Sequence, residues 1–348
     1  MKILVTGAAG MVGRHVVRRL LSQRHHVLAF DRRTLRGVGI DKKQLDMIGG
    51  EITDSSVLEA ALAGVHAVIH LAAVIPPRAD REPELARQVN VEGTRTLVAA
   101  MQRVAPRARL IHASSIAVYG DRLRCPMVTE EDPPAPNAAD HYGRQKLEAE
   151  GLVRASALAW TILRLSYVVS ADALVMDPLL YDMPPETAIE PCHVRDVARA
   201  FCRAATMPGY SDIASQTLLI AGGPEWRTMF RDYLGHMFRA FGLGGNFLPA
   251  VAFGTAPFHC AFMDTERSQR LLQYQSRSFA DFIDEVRRGR RITRILVTLV
   301  RPLARVWLIS RSPYFRAYVA RQVSGELGRL VLRLRIATGL RVPGSRRA

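Results

Sequence analysis

Tyr142 and Lys146 stand four residues apart in the stretch DHYGRQKLEA. On a helix that spacing sets the phenol and the ammonium side by side on one face. A neighbouring cation favours the phenolate, so this tyrosine is expected to trade a proton more easily than its ordinary pKa of about 10 allows. Giving or taking a proton at a substrate oxygen is the chemistry such a pair can do. Alone, the same spacing also fits an exposed polar face, and the surrounding elements have to decide. A pair of hydroxyls, Ser114 and Ser115, closes the apolar run ARLIHASS, where a strand would deliver them to its carboxyl end.

The elements that must position these groups begin at the N-terminus. KILVTG, residues 2 to 7, is a short β-forming run, and AAGMVGRHVVRRLLSQ repeats Val12, Val16, Leu20 and Leu21 at helical spacing. Between them Gly7, Gly10 and Gly13 form a G-x-x-G-x-x-G turn from strand into helix. Glycines there let the backbone approach a pyrophosphate seated at the positive end of the helix. A second strand, HHVLAFDRR, ends in Asp31, whose carboxylate can accept hydrogen bonds from an adenosine ribose. That acid favours NAD, because a 2′-phosphate would meet it. Arg32 and Arg33 follow at once and can clasp the same phosphate, so NADP is the alternative. Further strand-like runs at 64–73 and 160–169 alternate with helix-like segments. The predicted fold is therefore α/β, a doubly wound parallel (Rossmann) sheet with ligands at the carboxyl ends of its strands.

The pieces TGAAGMVG, HLAA, NVEGT, SSIAVYG, YGRQK and HVRDVARAF, in that order, resemble the extended short-chain dehydrogenase/reductases, the NAD-dependent epimerase/dehydratase family. The resemblance covers roughly residues 1 to 205, and MDTERSQRLLQYQSRSFADFIDEV is similar to the family's closing segment. It implies that Tyr142 is the general acid/base, that Lys146 lowers its pKa and holds the nicotinamide ribose, and that Ser115 binds the substrate oxygen, with Ser114 second. It implies a cofactor site lined by Gly7, Ala9, Gly10, Met11, Val12, Gly13, Asp31, Arg32, Glu51, Ile52, Leu71, Ala72, Ala73, Asn90, Tyr142 and Lys146. Asn90 would help fix the lysine through water. Glu51 and Ile52 stand where the family has Asp-Ile or Asp-Leu beside the adenine. His193 and Asp196 are expected to support the fold and tie down a loop. A homodimer is the family's common assembly.

The expected partition is a nucleotide-binding domain at 1–170 joined by 191–221, a small substrate domain from 171–190 and 222–286, and a basic helical tail at 287–348. The family's R-P-x-N-x-Y-G-P is altered here: Arg164 is kept, Leu165 replaces the proline and Tyr167 stands at the asparagine. That departure speaks against a sugar nucleotide. Leu174, Val175, Met176, Leu179, Leu180 and Met183 would make an apolar pocket wall or a core layer. The expected activity is interconversion of a ketone and a secondary alcohol on a lipophilic small molecule, nearest the hydroxysteroid dehydrogenases. The alternative is an NAD-dependent nucleotide-sugar epimerase or dehydratase.

Charge is concentrated in the tail. The chain carries +16 over 348 residues. Residues 287 to 348 hold 16 Arg and one acid, Glu326, while residues 1 to 286 hold 32 basic and 31 acidic residues. A neutral body does not support a nucleic-acid-binding domain there. ITRILVTLVRPLARVWLIS, drawn as one helix kinked at Pro302, sets Arg294, Thr298, Arg301 and Arg305 opposite Ile292, Ile295, Leu296, Leu299, Leu303, Val306 and Trp307. A second helical pattern follows through Phe315, Tyr318, Val319, Val323, Leu327, Leu330 and Leu334. Three readings fit: helices packed on the body, an anionic membrane surface, or an acidic carrier protein. Four scattered cysteines with no C-x-x-C predict neither a metal site nor a disulfide framework. MKILVTG reads as a strand and not as a signal peptide. Cytoplasmic residence is expected, with the tail able to hold the protein on the inner membrane face.

Overall fold

The computed structural model describes residues 1–35, 42–173, 180–245, 247–322, 325 and 330. Of these, 1–173, 189–227 and 259–278 form one compact unit, and 180–188, 228–258 and the described residues from 279 onward form another.

The first unit is built on seven strands: β1 (Lys2–Thr6), β2 (His26–Asp31), β3 (Leu45–Gly49), β4 (Ala67–His70), β5 (Arg109–Ser115), β6 (Trp160–Leu165) and β7 (Gln216–Ile220). All pairings are parallel, in the order β7-β6-β5-β4-β1-β2-β3. The chain works outward from β1 to β3, then returns to β4 on the other side, so the crevice between β1 and β4 is the topological switch point. The helices explain why the central strands read as continuous apolar runs. On one face α1 (Met11–Ser22) and α5 (Val194–Thr206) bring Val16, Val17 and Leu20 against Val197, Phe201 and Cys202. On the other, α2 (Ser55–Leu62), α3 (Gly93–Val104) and α4 (His141–Arg154) supply Leu58, Leu62, Leu97, Met101 and Val153. A doubly wound sheet was the expected fold, and it is the fold observed.

Residues 259–278 belong to this first unit, not to the substrate domain where the sequence reading put them. Buried carboxylates capture their backbone. Glu190 accepts from Met263 N at 3.0 Å, and Asp196 accepts from Ser276 N and Arg277 N, each at 3.0 Å. Asp196 thus ties down a loop as anticipated, while His193 caps α5 by accepting from Arg195 N at 3.1 Å. The short helix α7 (Glu266–Leu272) lies in this segment.

The second unit packs α6 (Phe230–Ala240) and α8 (Phe279–Gly289) through Phe230, Tyr233, Leu234, Phe282 and Ile283. Met183 is buried, which assigns it to a core layer, whereas Leu174, Val175, Met176 and Leu179 lie outside the described residues. The tail begins as three helices, α9 (Arg291–Leu299), α10 (Arg301–Arg311) and α11 (Pro313–Gln322). A single helix kinked at Pro302 is not what forms: α9 ends at Leu299 and Pro302 sits in the first turn of α10, where a missing N–H costs nothing. Leu308, Ile309, Phe315 and Val319 are buried, Tyr181 donates to Leu308 O at 2.8 Å, and Ser312 Oγ donates to Ala252 O at 2.6 Å. This part of the tail is integral to the second unit. The expected positions Val323, Leu327 and Leu334 lie outside the described residues.

Candidate active site

The turn from β1 into α1 is closed so tightly that its glycines have no substitute. A Cβ on Gly13 would lie 2.2 Å from Gly7 O, and one on Gly7, whose φ is +70°, would lie 2.7 Å from Ala72 N. The turn therefore abuts the backbone of the loop leaving β4, where Leu71, Ala72 and Ala73 are half-buried. Gly10 caps α1 without a side chain, and the first turn carries no acid. The backbone N–H groups there, Met11 and Val12 among them, suit an anion. At the end of β2, Asp31 accepts from Ala9 N and from Arg33 N, each at 2.9 Å. Each carboxylate oxygen keeps a lone pair for a ribose hydroxyl. The pyrophosphate turn and the ribose acid thus fit a dinucleotide. Arg32 pairs with Glu51 at 3.4 Å and Arg33 with Asp31 at 3.8 Å. Ile52 turns its side chain into the core beneath α3, where a Cβ on Gly93 would lie 2.4 Å from Ile52 Cγ2, so only its backbone is left to face an adenine.

Asp140 starts α4 by accepting from Gly143 N at 2.8 Å, and its other oxygen lies 2.6 Å from His259 Nδ1. Burial pushes the Asp140 carboxyl up, but His259 and the backbone N–H groups of Gly143 and Tyr142 together outweigh it and hold the group below its usual range. Two residues on, Tyr142 is buried, and the Ser115 side chain at the end of β5 is near enough to its phenol to lower its pKa. Ser115 Oγ also accepts from Ala117 N at 3.2 Å. Ser114 points elsewhere: its hydroxyl donates to Glu150 at 2.6 Å. Glu150 is fully buried and also takes Arg164 through Nε at 2.9 Å and Nη2 at 2.7 Å. The two serines, adjacent in sequence, thus separate into one that meets the tyrosine and one that belongs to an ion-pair network.

Lys146 donates to Ala113 O at 2.9 Å and its Nζ lies 5.9 Å from the centroid of the Tyr142 ring. Burial brings the ammonium down to about 8, with Glu150 opposing. The expectation of a tyrosine acidified by this lysine is not met. Burial pushes the Tyr142 phenol up, and only the Ser115 hydroxyl opposes that. The reason is dielectric: a buried phenolate loses more hydration than this lysine, turned toward a carbonyl, returns.

Asn90 lies in a π-helical turn, and its side chain is committed to protein partners. It accepts from Val74 N at 2.8 Å and donates to Val74 O at 2.9 Å and to Gln145 at 3.0 Å. It fixes the loop after β4 directly. Beneath that loop is an arrangement sequence reading missed. Ala72 N donates to Thr6 Oγ1, which lies 2.7 Å from His70 Nδ1; His70 Nε2 lies 3.0 Å from Thr94 Oγ1, which donates to Asn90 O at 2.7 Å. Each hydroxyl has one proton, so the Thr94 bond requires His70 to carry its own on Nε2 and to accept from Thr6 at Nδ1. Burial, then the Lys146 charge, holds His70 down at about 3, which keeps it in this neutral form. Thr6 and His70 meet because they are directly paired in register across β1 and β4.

Known proteins resemble this chain in sequence and in fold. The model of the NAD dependent epimerase/dehydratase family matches residues 3–178. D-erythronate dehydrogenase of Cupriavidus necator is 34% identical over 164 residues, 44% of this chain and 49% of that protein. The 3 beta-hydroxysteroid dehydrogenase type 7 of Rattus norvegicus is 31% identical over 159 residues, 43% of this chain and 47% of that one. These matches thus span about half the length of either relative. The solved structure of MoeE5 in complex with UDP-glucuronic acid and NAD superposes with a TM-score of 0.69 at 27% identity, covering 83% of this chain and 100% of that one.

Proposed function

From the premise that this chain belongs to the NAD-dependent epimerase/dehydratase family, we propose that it is an oxidoreductase interconverting a ketone and a secondary alcohol on a lipophilic small molecule. The observation that carries the reading is the grouping of Ser115, at the carboxyl end of β5, with the buried Tyr142 phenol and with Lys146 buried one helical turn on. NAD, held by the Gly7–Gly13 turn and by Asp31, supplies the hydride acceptor or donor when bound. The engagement of Arg32 with Glu51 and of Arg33 with Asp31 supports NAD over NADP.

The protein's own part is proton handling. Ser115 orients the substrate oxygen by hydrogen bonding, and Tyr142 exchanges a proton with that oxygen. A phenol kept protonated by burial is in the form that donates, which suits reduction of a carbonyl. Lys146, brought down to about 8 by burial, donates to Ala113 O and so holds the end of β5 beside the phenol. For the substrate, Leu165 and the exposed Tyr167 stand where the nucleotide-sugar pattern has proline and asparagine. Several similar proteins are named as hydroxysteroid dehydrogenases, which supports an apolar ring as substrate. A sugar-nucleotide epimerase or dehydratase is the second reading, favoured by the likeness to MoeE5 over most of the chain.

The test pairs turnover with nucleotide binding. NADH oxidation is followed with apolar cyclic ketones and, separately, UDP-sugars are followed for isomerisation with no net change in NADH. Tyr142→Phe should abolish turnover of the ketone while NADH binding stays within about twofold, since only the phenol oxygen is removed. Undiminished turnover in that variant refutes the assignment of Tyr142, and turnover of UDP-sugars alone selects the second reading.

A further inference from the structure

We infer that the α9–α10 face of the second unit docks onto an anionic lipid bilayer. The helix α9 is amphipathic, yet none of its described side chains is buried. Ile295 is 65% exposed, Leu296 58% and Leu299 76%, and the surface continues through Leu303 at 71% and Trp307 at 53% on α10. Single exposed apolar residues are ordinary, but a contiguous run of large ones on two successive helices marks a contact surface. The opposite side of α10 is already occupied, because Leu308 and Ile309 are buried in the second unit. α9 meets the rest of its own unit by polar contact, with Thr298 Oγ1 reaching Gly242 O at 3.3 Å. α9 and the Leu303–Trp307 side of α10 thus keep large apolar side chains for something else.

Charge selects the occupant. Residues 287 to 322 contain ten arginines and no lysine, aspartate or glutamate. A second copy of the chain would bring ten more arginines against these, and like charge opposes that pairing. A nucleic acid would satisfy the guanidinium groups but leave Ile295, Leu299, Leu303 and Trp307 in water. An anionic bilayer satisfies both, with aliphatic and indole groups entering the headgroup boundary and arginines meeting lipid phosphates. Among the described residues no helix is long and apolar enough to cross a membrane, so the helices lie on the surface.

The chain reports on this itself. Of its three tryptophans, Trp160 and Trp226 are buried and Trp307 is exposed. The full chain is mixed with vesicles of phosphatidylcholine alone or of phosphatidylcholine and phosphatidylglycerol in equal parts, then followed by flotation and tryptophan emission. Flotation with the anionic vesicles, a blue shift of emission, and binding about tenfold or more weaker to neutral vesicles and in high salt are expected. Leu299→Ser/Leu303→Ser should weaken anionic-vesicle binding about tenfold or more while leaving circular dichroism and NADH binding unchanged. The proposal is overturned if the wild-type chain floats with neither vesicle. It is equally overturned if the double variant binds anionic vesicles as well as wild type, or if wild type self-associates through this face and the variant does not. Tight binding to duplex DNA that the double variant retains would assign the arginines to nucleic acid instead.

Discussion

Lys146 offers the sharpest quantitative test, because burial and function pull it in opposite directions. Its ammonium is brought from an ordinary 10.5 down to about 8 by desolvation. The folded state therefore holds this proton less tightly than the unfolded chain does. Below about 8 both states are protonated and the folded protein bears the full penalty, about 3 kcal/mol at 1.36 kcal/mol per pKa unit. Between about 8 and 10.5 only the unfolded chain stays protonated, so stability from this group rises with pH and the penalty fades. Lys146→Met keeps the length of the stem and removes the titration. The stability of the variant minus that of wild type should therefore fall by about 2 kcal/mol between about pH 7 and about pH 9.5. Groups common to both proteins, Tyr142 among them, cancel in that difference. The assay is urea unfolding of both proteins across the range, with no nucleotide added. Turnover of the variant should be lost throughout. A stability difference that does not move with pH refutes the claim that the folded protein buries Lys146 at a cost.

Two further substitutions probe the neighbouring parts. Asp31→Ala removes a carboxylate that accepts from two backbone N–H groups and stands at the ribose position. NADH affinity should fall about tenfold to a hundredfold, the worth of a charged hydrogen bond, while NADPH affinity rises as Arg33 is released; equal losses for both nucleotides in titrations would contradict the specificity argument. Glu150→Ala strands Arg164, which is 3% exposed, without its carboxylate. That should cost about 3–5 kcal/mol in urea unfolding, whereas Glu150→Leu combined with Arg164→Leu should recover most of it; a single variant as stable as wild type would show the pair to be dispensable.

Much of the site is legible in the sequence because it depends on local spacing. The Gly7, Gly10 and Gly13 trio and the Tyr142–Lys146 pair need only one turn or one helix to come together. The distinction between Ser114 and Ser115 is not legible in that way. A strand buried on both faces shows no alternation of polar and apolar residues, so nothing along β5 says which hydroxyl faces the ion pair. The Thr6–His70–Thr94 chain is hidden for a related reason: it is assembled across strands, and each member reads alone as an ordinary polar residue in an apolar run. The break between α9 and α10 was misread because helical periodicity continues through Pro302, whereas the missing N–H makes that residue a helix opener. The raised pKa of Tyr142 depends on how deeply the phenol is buried, which no spacing reports.

Helix α9 has one more consequence, and it concerns inheritance. Because folding asks nothing of Ile295, Leu296 or Leu299, mutation is free to erode them at no cost to the native state. Core positions such as Leu4 or Phe201 are retained by descent whatever the protein does. The pattern of α9 can persist only if its contact is selected for in its own right. Lineages that abandon the contact should lose the apolar stripe within α9 while keeping Leu308 and Ile309 one helix later, so the history of the chain carries its own internal control.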